Sequence, residues 1–150
     1  MSRAIGTPVE TAIKRYAAAH GFPFAERLPL AGSLDMGDVR LCQEVIVEAK
    51  GGKAAENASA LQLERWLDET EKERVNAGAE IGLLVTKRKG VSGARAGAWD
   101  CHLTLATMRT ILMLPPGPWP CVVLRLTFDS VLSLLAEAGL GSVDPVGRTL

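Results

Sequence analysis

Three charged residues, Asp38, Glu48 and Lys50, interrupt an apolar part of the sequence and could together form one catalytic centre. Residues 44–50 have the apolar, β-branched character of a strand, and residues two apart on a strand point to the same side. Glu48 and Lys50 are therefore expected on one face of this strand, with Ala49 on the other. Burying two such charges is costly unless they pair or bind something, and Asp38 supplies a third charge from the preceding strand.

Two carboxylates that converge from adjacent strands suit a hard divalent cation such as Mg²⁺, which takes oxygen ligands and usually keeps several waters. The ammonium group of Lys50 could then hold the attacking water in line with a phosphodiester and stabilise the charge on the phosphate oxygens. The alternative is structural: Asp38 caps a turn after Gly37, and Glu48 pairs with Lys50 on a partly exposed strand. We favour the metal site because charges that intrude into core-like strands are usually functional.

Two helices are expected to flank the strands that carry these residues. The first should run from Thr7 to about His20, because Thr7, Pro8 and Glu10 have the spacing of a helix start. The second should be a long amphipathic helix over residues 58–77 that ends at Gly78. Its expected apolar side chains are Leu61, Trp66, Leu67 and Val75.

The remaining pattern predicts an α/β sheet. Strands are predicted over residues 24–30, 38–41, 44–50, 81–86, 98–103 and 121–126, and further helices over 105–113 and 128–138. Residues 90–97 are predicted to be a flexible basic loop. The first three strands should form a meander, and the order strand, helix, strand after it implies a right-handed crossover.

Size and composition indicate one domain spanning residues 1–150. The chain has 150 residues, of which 47% are hydrophobic, enough for one sizeable core. No apolar run approaches the roughly 20 residues of a membrane-spanning helix, and the N-terminus lacks a signal-peptide core, so we expect a cytoplasmic protein without membrane contact. Cys42, Cys101 and Cys121 follow no zinc-binding pattern and are expected to be reduced core thiols.

The formal net charge of zero is not typical of a nucleic-acid-binding protein, whose phosphate contacts normally use surplus Lys and Arg. The charges are unevenly distributed, however, with acids concentrated between positions 64 and 80. Lys87, Arg88, Lys89 and Arg95 form a basic cluster without an acid among them. This cluster could contact a phosphate backbone without reading bases, or it could be ordinary solubilising surface.

The pattern of Asp38 followed by Glu-Ala-Lys at positions 48–50, with an acid-bearing helix before it, resembles the PD-(D/E)xK nuclease superfamily. Within that superfamily the chain is similar to the Holliday junction resolvase-like branch, in its archaeal, actinobacterial and phage forms, through the segment AGSLDMGD at residues 31–38. The similarity spans about residues 6–104 and leaves the last third uncovered. Gly37 stands where the proline that names the superfamily would precede Asp38.

The resemblance implies a restriction-endonuclease-like fold, with a central mixed β-sheet flanked by helices. It also implies Mg²⁺-dependent hydrolysis of phosphodiester bonds in DNA, with Mn²⁺ as a substitute. Asp38 and Glu48 would be metal ligands, and the backbone carbonyl of Ala49 would be a third oxygen ligand. Lys50 would position the water.

Three further residues gain roles from the resemblance. Glu10 would match a helix-borne acid that reaches the metal directly or through water; the alternative is a capping-box partner for Thr7. Ser33 lies where the resolvases carry a functional serine near the scissile phosphate, but serine after glycine is also common in turns. Gln62 falls where related nucleases place a glutamine, although solvent exposure is the ordinary outcome there.

The expected substrate is branched or duplex DNA, with a four-way junction favoured. Cutting a junction symmetrically needs two active sites related by a two-fold axis, so we expect a homodimer. The elements at 121–126 and 131–140 would supply its interface or complete the monomer's core. The alternatives are a nuclease of restriction, repair or nicking specificity, and a non-catalytic nuclease-like scaffold that binds nucleic acid. The predicted DNA contacts are Arg27, Arg40, Lys87, Arg88 and Lys89.

Overall fold

The structure is a computed structural model that describes residues 6–29 and 34–141. Its strands are β1 (Glu26–Arg27), β2 (Val39–Cys42), β3 (Val45–Lys50), β4 (Ile81–Thr86), β5 (Asp100–Thr104) and β6 (Val123–Thr127). Its helices are α1 (Gly6–Ala19), α2 (Gly52–Glu56), α3 (Ala60–Ala77), α4 (Leu105–Ile111) and α5 (Phe128–Glu137), with a 3₁₀ helix at Gly93–Ala98. The predicted α/β class, with a mixed sheet flanked by helices, is confirmed.

The six strands form one sheet in which spatial order follows chain order. The first three strands pair antiparallel as the predicted meander, and β3 then pairs parallel to β4 after α3. In that parallel pair Glu48 lies beside Leu84 and Lys50 beside Thr86. Because parallel strands end at the same edge of a sheet, the carboxyl ends of β3 and β4 open side by side.

The sheet separates two helical layers. On one face, Ile13 of α1 and Val47 of β3 belong to the main core, to which α5 also contributes. On the other face, Trp66 of α3 packs with Leu84 of β4 in a smaller cluster. Since neighbouring residues on a strand point to opposite faces, Glu48 is directed to the α3 side.

Helix α3 begins and ends through local hydrogen bonds. The Ser59 side-chain hydroxyl accepts a bond from the backbone of Gln62, and Gly78 adopts a left-handed φ of 66° at the other end. The helix buries Trp66 and Leu67 as predicted, but Leu61 and Val75 are exposed. Val75 follows Trp66 by nine residues, about two and a half turns, which places it on the opposite side of the helix.

Several other expectations are corrected. Strand β1 is shorter than the predicted span of 24–30, and α2 was not predicted because none of its residues is buried. Residues 93–98 form a 3₁₀ helix against α1, where Gly97 approaches Tyr16 so closely that a Cβ would clash, so the predicted flexible loop is wrong. Cys101 is buried, whereas Cys121 is exposed and is no core thiol.

The C-terminal elements divide between core and surface. Val131, Leu132 and Leu135 of α5 are buried, so this helix completes the core of the single chain. Strand β6 is an edge strand with a largely solvent-accessible pattern. Among the described residues, no helix is both long and apolar enough to cross a membrane.

Candidate metal centre

The turn before β2 fixes the carboxylate of Asp38. The Asp38 amide donates to the Val47 carbonyl at 2.9 Å, and the Ala49 amide donates to Asp38 Oδ2 at 2.8 Å. Gly37, with φ of 95°, permits the sharp turn that brings Asp38 to this position. The side chain of Asp38 is therefore held against β3, next to Glu48.

Glu48 and Lys50 share one face of β3, as predicted. Glu48 is 6% exposed, and Lys50 Nζ lies 3.7 Å from its Oε2. The same ammonium group lies 3.9 Å from Glu69 Oε2 and 5.4 Å from the ring centroid of Trp66. The structure thus brings Asp38, Glu48 and Lys50 together, with the lysine at the more accessible side.

Two further acids, Asp35 and Glu73, join this cluster and were missed by the sequence reasoning. One ligand atom each from Asp35, Glu48 and Glu73 lies within 4.8 Å of the others. The signal for Glu73 was helical spacing, because Trp66, Thr70 and Glu73 follow one stripe of α3 and all are buried. Asp35 lies in an exposed turn before Asp38, where no helical or strand periodicity could have predicted that its side chain joins the cluster.

Burial and mutual proximity raise the pKa values of these acids. The pKa of Asp38 rises to about 8, first through burial and then through the neighbouring Glu48. The pKa of Glu48 rises to about 7 through burial and contact with Glu73. The pKa of Glu73 rises to about 7 through burial and the charges of Asp35 and Asp38. Lys50 opposes all three shifts without cancelling them.

Glu10 of α1 reaches the same region from the opposite helical layer. Burial and then the charge of Asp38 raise the pKa of Glu10, while Arg27 opposes the shift. Arg27 Nη2 lies 2.7 Å from Glu10 Oε2, so this arginine is already paired. Helix α1 begins at Gly6, and Glu10 sits beside the acidic cluster. Ser33, which the resemblance also placed near the scissile phosphate, lies outside the described residues.

Three of the predicted DNA-contacting residues lie together on the surface, at the end of β4. Lys87, Arg88 and Lys89, together with Lys53 of α2, line a cavity of about 530 Å³, in which these four cations outnumber the two acids, Glu56 and Asp100. This cavity adjoins the candidate metal centre, since the Lys87 amide donates to the carbonyl of Lys50 at 2.9 Å. We call it the basic cavity.

Arg40 has a structural position. Its guanidinium donates to the backbone carbonyls of Gln43 and Ala77, at 2.7 and 2.9 Å. These bonds tie the β2–β3 hairpin to the end of α3, which carries Glu73. Arg40 therefore helps to hold the two sides of the acidic cluster in place.

A buried polar pair, His102 and Thr86, lies on the same side of the sheet and was not predicted. His102 Nε2 is 3.0 Å from Thr86 Oγ1, and Thr86 pairs with Lys50 across β3 and β4. Burial lowers the pKa of His102 and so favours its neutral form. The contact gives the buried Thr86 hydroxyl and the buried His102 ring nitrogen a hydrogen-bond partner, next to Lys50 in the sheet.

Comparison of the chain with protein-family models, with curated proteins and with solved structures found no match. The site combines the buried carboxylates of Glu48 and Glu73, the ammonium group of Lys50 and a neighbouring basic cavity.

Proposed function

We propose that this protein is a divalent-metal-dependent endonuclease that hydrolyses phosphodiester bonds in DNA. One observation carries the proposal: Asp38, Glu48 and Lys50 meet on one face of a buried strand, with Lys50 Nζ 3.7 Å from Glu48. A purely structural ion pair accounts for Glu48 and Lys50 but leaves the half-buried carboxyl group of Asp38 beside them without a cation of its own.

The donor set fits a hard cation. Asp38 and Glu48 offer carboxylate oxygens, and the backbone carbonyl of Ala49 is the further oxygen that we assign to the same ion. Burial is the main cause of the raised pKa values of Asp38 and Glu48, to which Glu48 adds for Asp38 and Glu73 adds for Glu48. A bound Mg²⁺ or Mn²⁺ would stabilise the ionised carboxylates and would polarise a phosphate and acidify water.

Lys50 has the position required to orient the reacting groups. The Lys50 side chain lies at the accessible end of the cluster and is 28% exposed, while the Glu48 side chain is 7% exposed. From there it can donate to a phosphate oxygen and to the attacking water, which fixes the line of attack and stabilises negative charge on the phosphate. Trp66 and Glu48 restrict its side chain and so reduce the entropy lost on binding.

The basic cavity gives the DNA backbone a place to bind. Lys53, Lys87, Arg88 and Lys89 lie along one edge of the sheet, next to the carboxyl ends of β3 and β4. Phosphate contacts of this kind position a duplex without reading its sequence. A local basic surface can serve this purpose although the net charge of the chain is zero.

Within the α/β class, we propose that the chain has a restriction-endonuclease-like fold. It is supported by the antiparallel meander β1–β2–β3, by the parallel return to β4 after α3, and by an acid-bearing α1. Branched DNA is the substrate we propose, on the strength of the resemblance to junction resolvases. Symmetric cleavage of a four-way junction requires a homodimer, and the exposed apolar residues Trp119, Val122 and Val123, at and just before the start of the edge strand β6, offer a surface for it.

The test is cleavage of a labelled four-way junction beside a linear duplex of the same sequence. We expect Mg²⁺-dependent cuts in the junction, no cuts in EDTA, and loss of activity in Glu48→Gln. The matched control is Glu64→Gln, on the exposed side of α3. Activity that survived EDTA or Glu48→Gln would overturn the mechanism. Equal cleavage of both DNAs, or a monomer in sedimentation with and without junction DNA, would remove the junction specificity.

A further inference from the structure

Within the part of the chain that the structure describes, the carboxylate of Glu73 is buried without a cationic partner, and its polar neighbour is another carboxyl group, that of Glu48. Glu73 is 4% exposed, and its Oε2 atom has no hydrogen-bond partner among the described residues. Leaving a buried charged oxygen unsatisfied is costly, because the group gives up its water and gains nothing in return. Such an oxygen calls for a ligand that the protein chain does not provide.

Arg74, the residue after Glu73, and Lys50, the lysine of the acidic cluster, both pair with other groups. Arg74 donates to Glu71 and to the carbonyl of Ala79, on the outer side of α3. Lys50 lies within ion-pair distance of Glu48 and Glu69. In the described ranges, no Lys or Arg lies within 4.0 Å of the Glu73 carboxylate.

Carboxylates face Glu73 instead. One ligand atom from each of Asp35, Glu48 and Glu73 lies within 4.8 Å of the other two. Asp35 is held toward α3, because Asn76 Nδ2 donates to its backbone carbonyl at 2.8 Å. Its Oδ1 accepts from the Gly37 amide at 2.9 Å, which leaves Oδ2 available.

Asp38 is not a member of this group of three. Its Oδ2 accepts a hydrogen bond from the Ala49 amide. Glu48 therefore neighbours two sets of oxygen donors, one with Asp38 and Ala49 and the other with Asp35 and Glu73.

We propose that Asp35, Glu48 and Glu73 bind a second divalent cation, Mg²⁺ or Mn²⁺, next to the one assigned to Asp38. The shared role of Glu48 rests on the proposed nuclease function. Three carboxylate oxygens leave room for water or a phosphate oxygen on the ion. With two cations, the centre could stabilise both the attacking and the leaving oxygen of a phosphodiester.

The test counts Mn²⁺ ions bound per chain in the full-length protein, by electron paramagnetic resonance of free Mn²⁺ during titration. We expect two ions for the unsubstituted protein and for the control Glu64→Gln. We expect one ion for Glu73→Gln and for Asp35→Asn. Asp35 is exposed, so its substitution tests the site even if the buried change at Glu73 impairs folding. Asp38→Asn should lose the other ion and retain the one bound through Glu73.

Two ions retained in both Glu73→Gln and Asp35→Asn, or one ion in the unsubstituted protein, would overturn the second site. Failure of this inference is separable from failure of the proposed function. A protein that cuts DNA while binding a single ion keeps its nuclease function and loses the second site. A protein that binds two ions, with one lost on Glu73→Gln, but cuts no DNA keeps the second site and loses the nuclease function.

Discussion

The backbone amide of Ala49 donates a 2.8 Å hydrogen bond to Oδ2 of Asp38, from strand β3 to the residue that precedes β2. This bond fixes one carboxylate oxygen of Asp38 and leaves the other free to face Glu48. The same peptide segment carries Glu48 and Lys50 on either side of Ala49. One main-chain bond thus sets the relative positions of all three proposed catalytic residues.

Replacing Asp38 by Asn should separate catalysis from folding. The Asn side-chain oxygen can still accept from the Ala49 amide, while its NH₂ group faces Glu48 without repulsion. We expect Asp38→Asn to cleave DNA roughly 100-fold more slowly, because it no longer holds the ion that we assign to Asp38. In EDTA at pH 8 it should be more stable than the unsubstituted protein by about 1 kcal/mol, or roughly 2–4 °C in Tm.

Asp38→Ala provides the comparison for that variant. It removes the same charge but leaves the Ala49 amide without its acceptor, so it should be less stable than Asp38→Asn by about 1–3 kcal/mol. Thermal unfolding and cleavage rates of both variants provide the measurement. Equal stability of the two variants would show that the hydrogen bond contributes little to the fold.

The stability of the metal-free protein should fall as the pH rises. The pKa values of Asp38, Glu48 and Glu73 are raised to about 8, 7 and 7, above the ordinary values of 3.8, 4.5 and 4.5. The folded chain then binds more protons than the unfolded chain between about pH 4 and pH 8. Stability contributed by these groups is therefore fully present below pH 4 and is lost as the pH rises through 7 to 8.

Thermal unfolding in EDTA between pH 6 and pH 8.5 measures this effect. Saturating Mg²⁺ should raise Tm more at pH 8.5 than at pH 6, because the cation binds the ionised carboxylates. The same series on Glu64→Gln should match the unsubstituted protein, since that acid lies on the exposed side of α3. A Tm that does not change with pH in EDTA, and that Mg²⁺ does not raise, would contradict the raised pKa values of Asp38, Glu48 and Glu73 and the binding of a cation to them.

The core of the fold could be predicted because its signals are local. Residues 81–86 form an unbroken apolar run, and the structure places β4 at Ile81–Thr86 with every residue buried. The end of α3 at Gly78 also followed from sequence, since glycine tolerates the left-handed φ found there, whereas its start was predicted at residue 58 and lies at Ala60, after the Ser59 cap. The 3₁₀ helix at Gly93–Ala98 could not be predicted, because it depends on close packing of Gly97 against Tyr16, distant in sequence.

The candidate site was predictable to a similar degree. Asp38, Glu48 and Lys50 stood out as charges in apolar strands, whereas Glu73 was hidden among many acids of an amphipathic helix. Its burial depends on the rotation of α3 over the sheet, which Trp66 and Leu67 set by packing near Leu84. Asp35 joins through a turn whose course depends on Asn76. Such tertiary placements are not encoded in residue spacing alone.

Removing the charge of Lys50 should reduce catalysis while preserving metal binding. Lys50→Met keeps much of the side-chain packing against Trp66 but removes the ammonium group. We expect a loss of about 100-fold to 1,000-fold in kcat, typical of removing one group that stabilises the transition state. Lys72→Met, an exposed lysine on α3, is the matched control and should cleave normally. Unchanged kcat in Lys50→Met would exclude Lys50 from the reaction.

The basic cavity should determine how DNA affinity depends on salt. Lys87 and Lys89 line this cavity beside Lys53. The double variant Lys87→Ala/Lys89→Ala should bind a four-way junction and a linear duplex more weakly by a similar factor, because phosphate contacts carry no sequence information. Each lost contact should also lower the slope of log affinity against log salt by about 0.9.

Fluorescence anisotropy across a range of salt concentrations, with Ca²⁺ in place of Mg²⁺, measures this slope. The control is Lys14→Ala/Lys72→Ala, which removes the same charge from exposed positions on α1 and α3. If both double variants lose affinity equally, the net charge of the chain governs binding and the cavity has no particular role. If only Lys87→Ala/Lys89→Ala lowers the slope, DNA binds along the edge of the sheet where β3 and β4 end, next to Lys50.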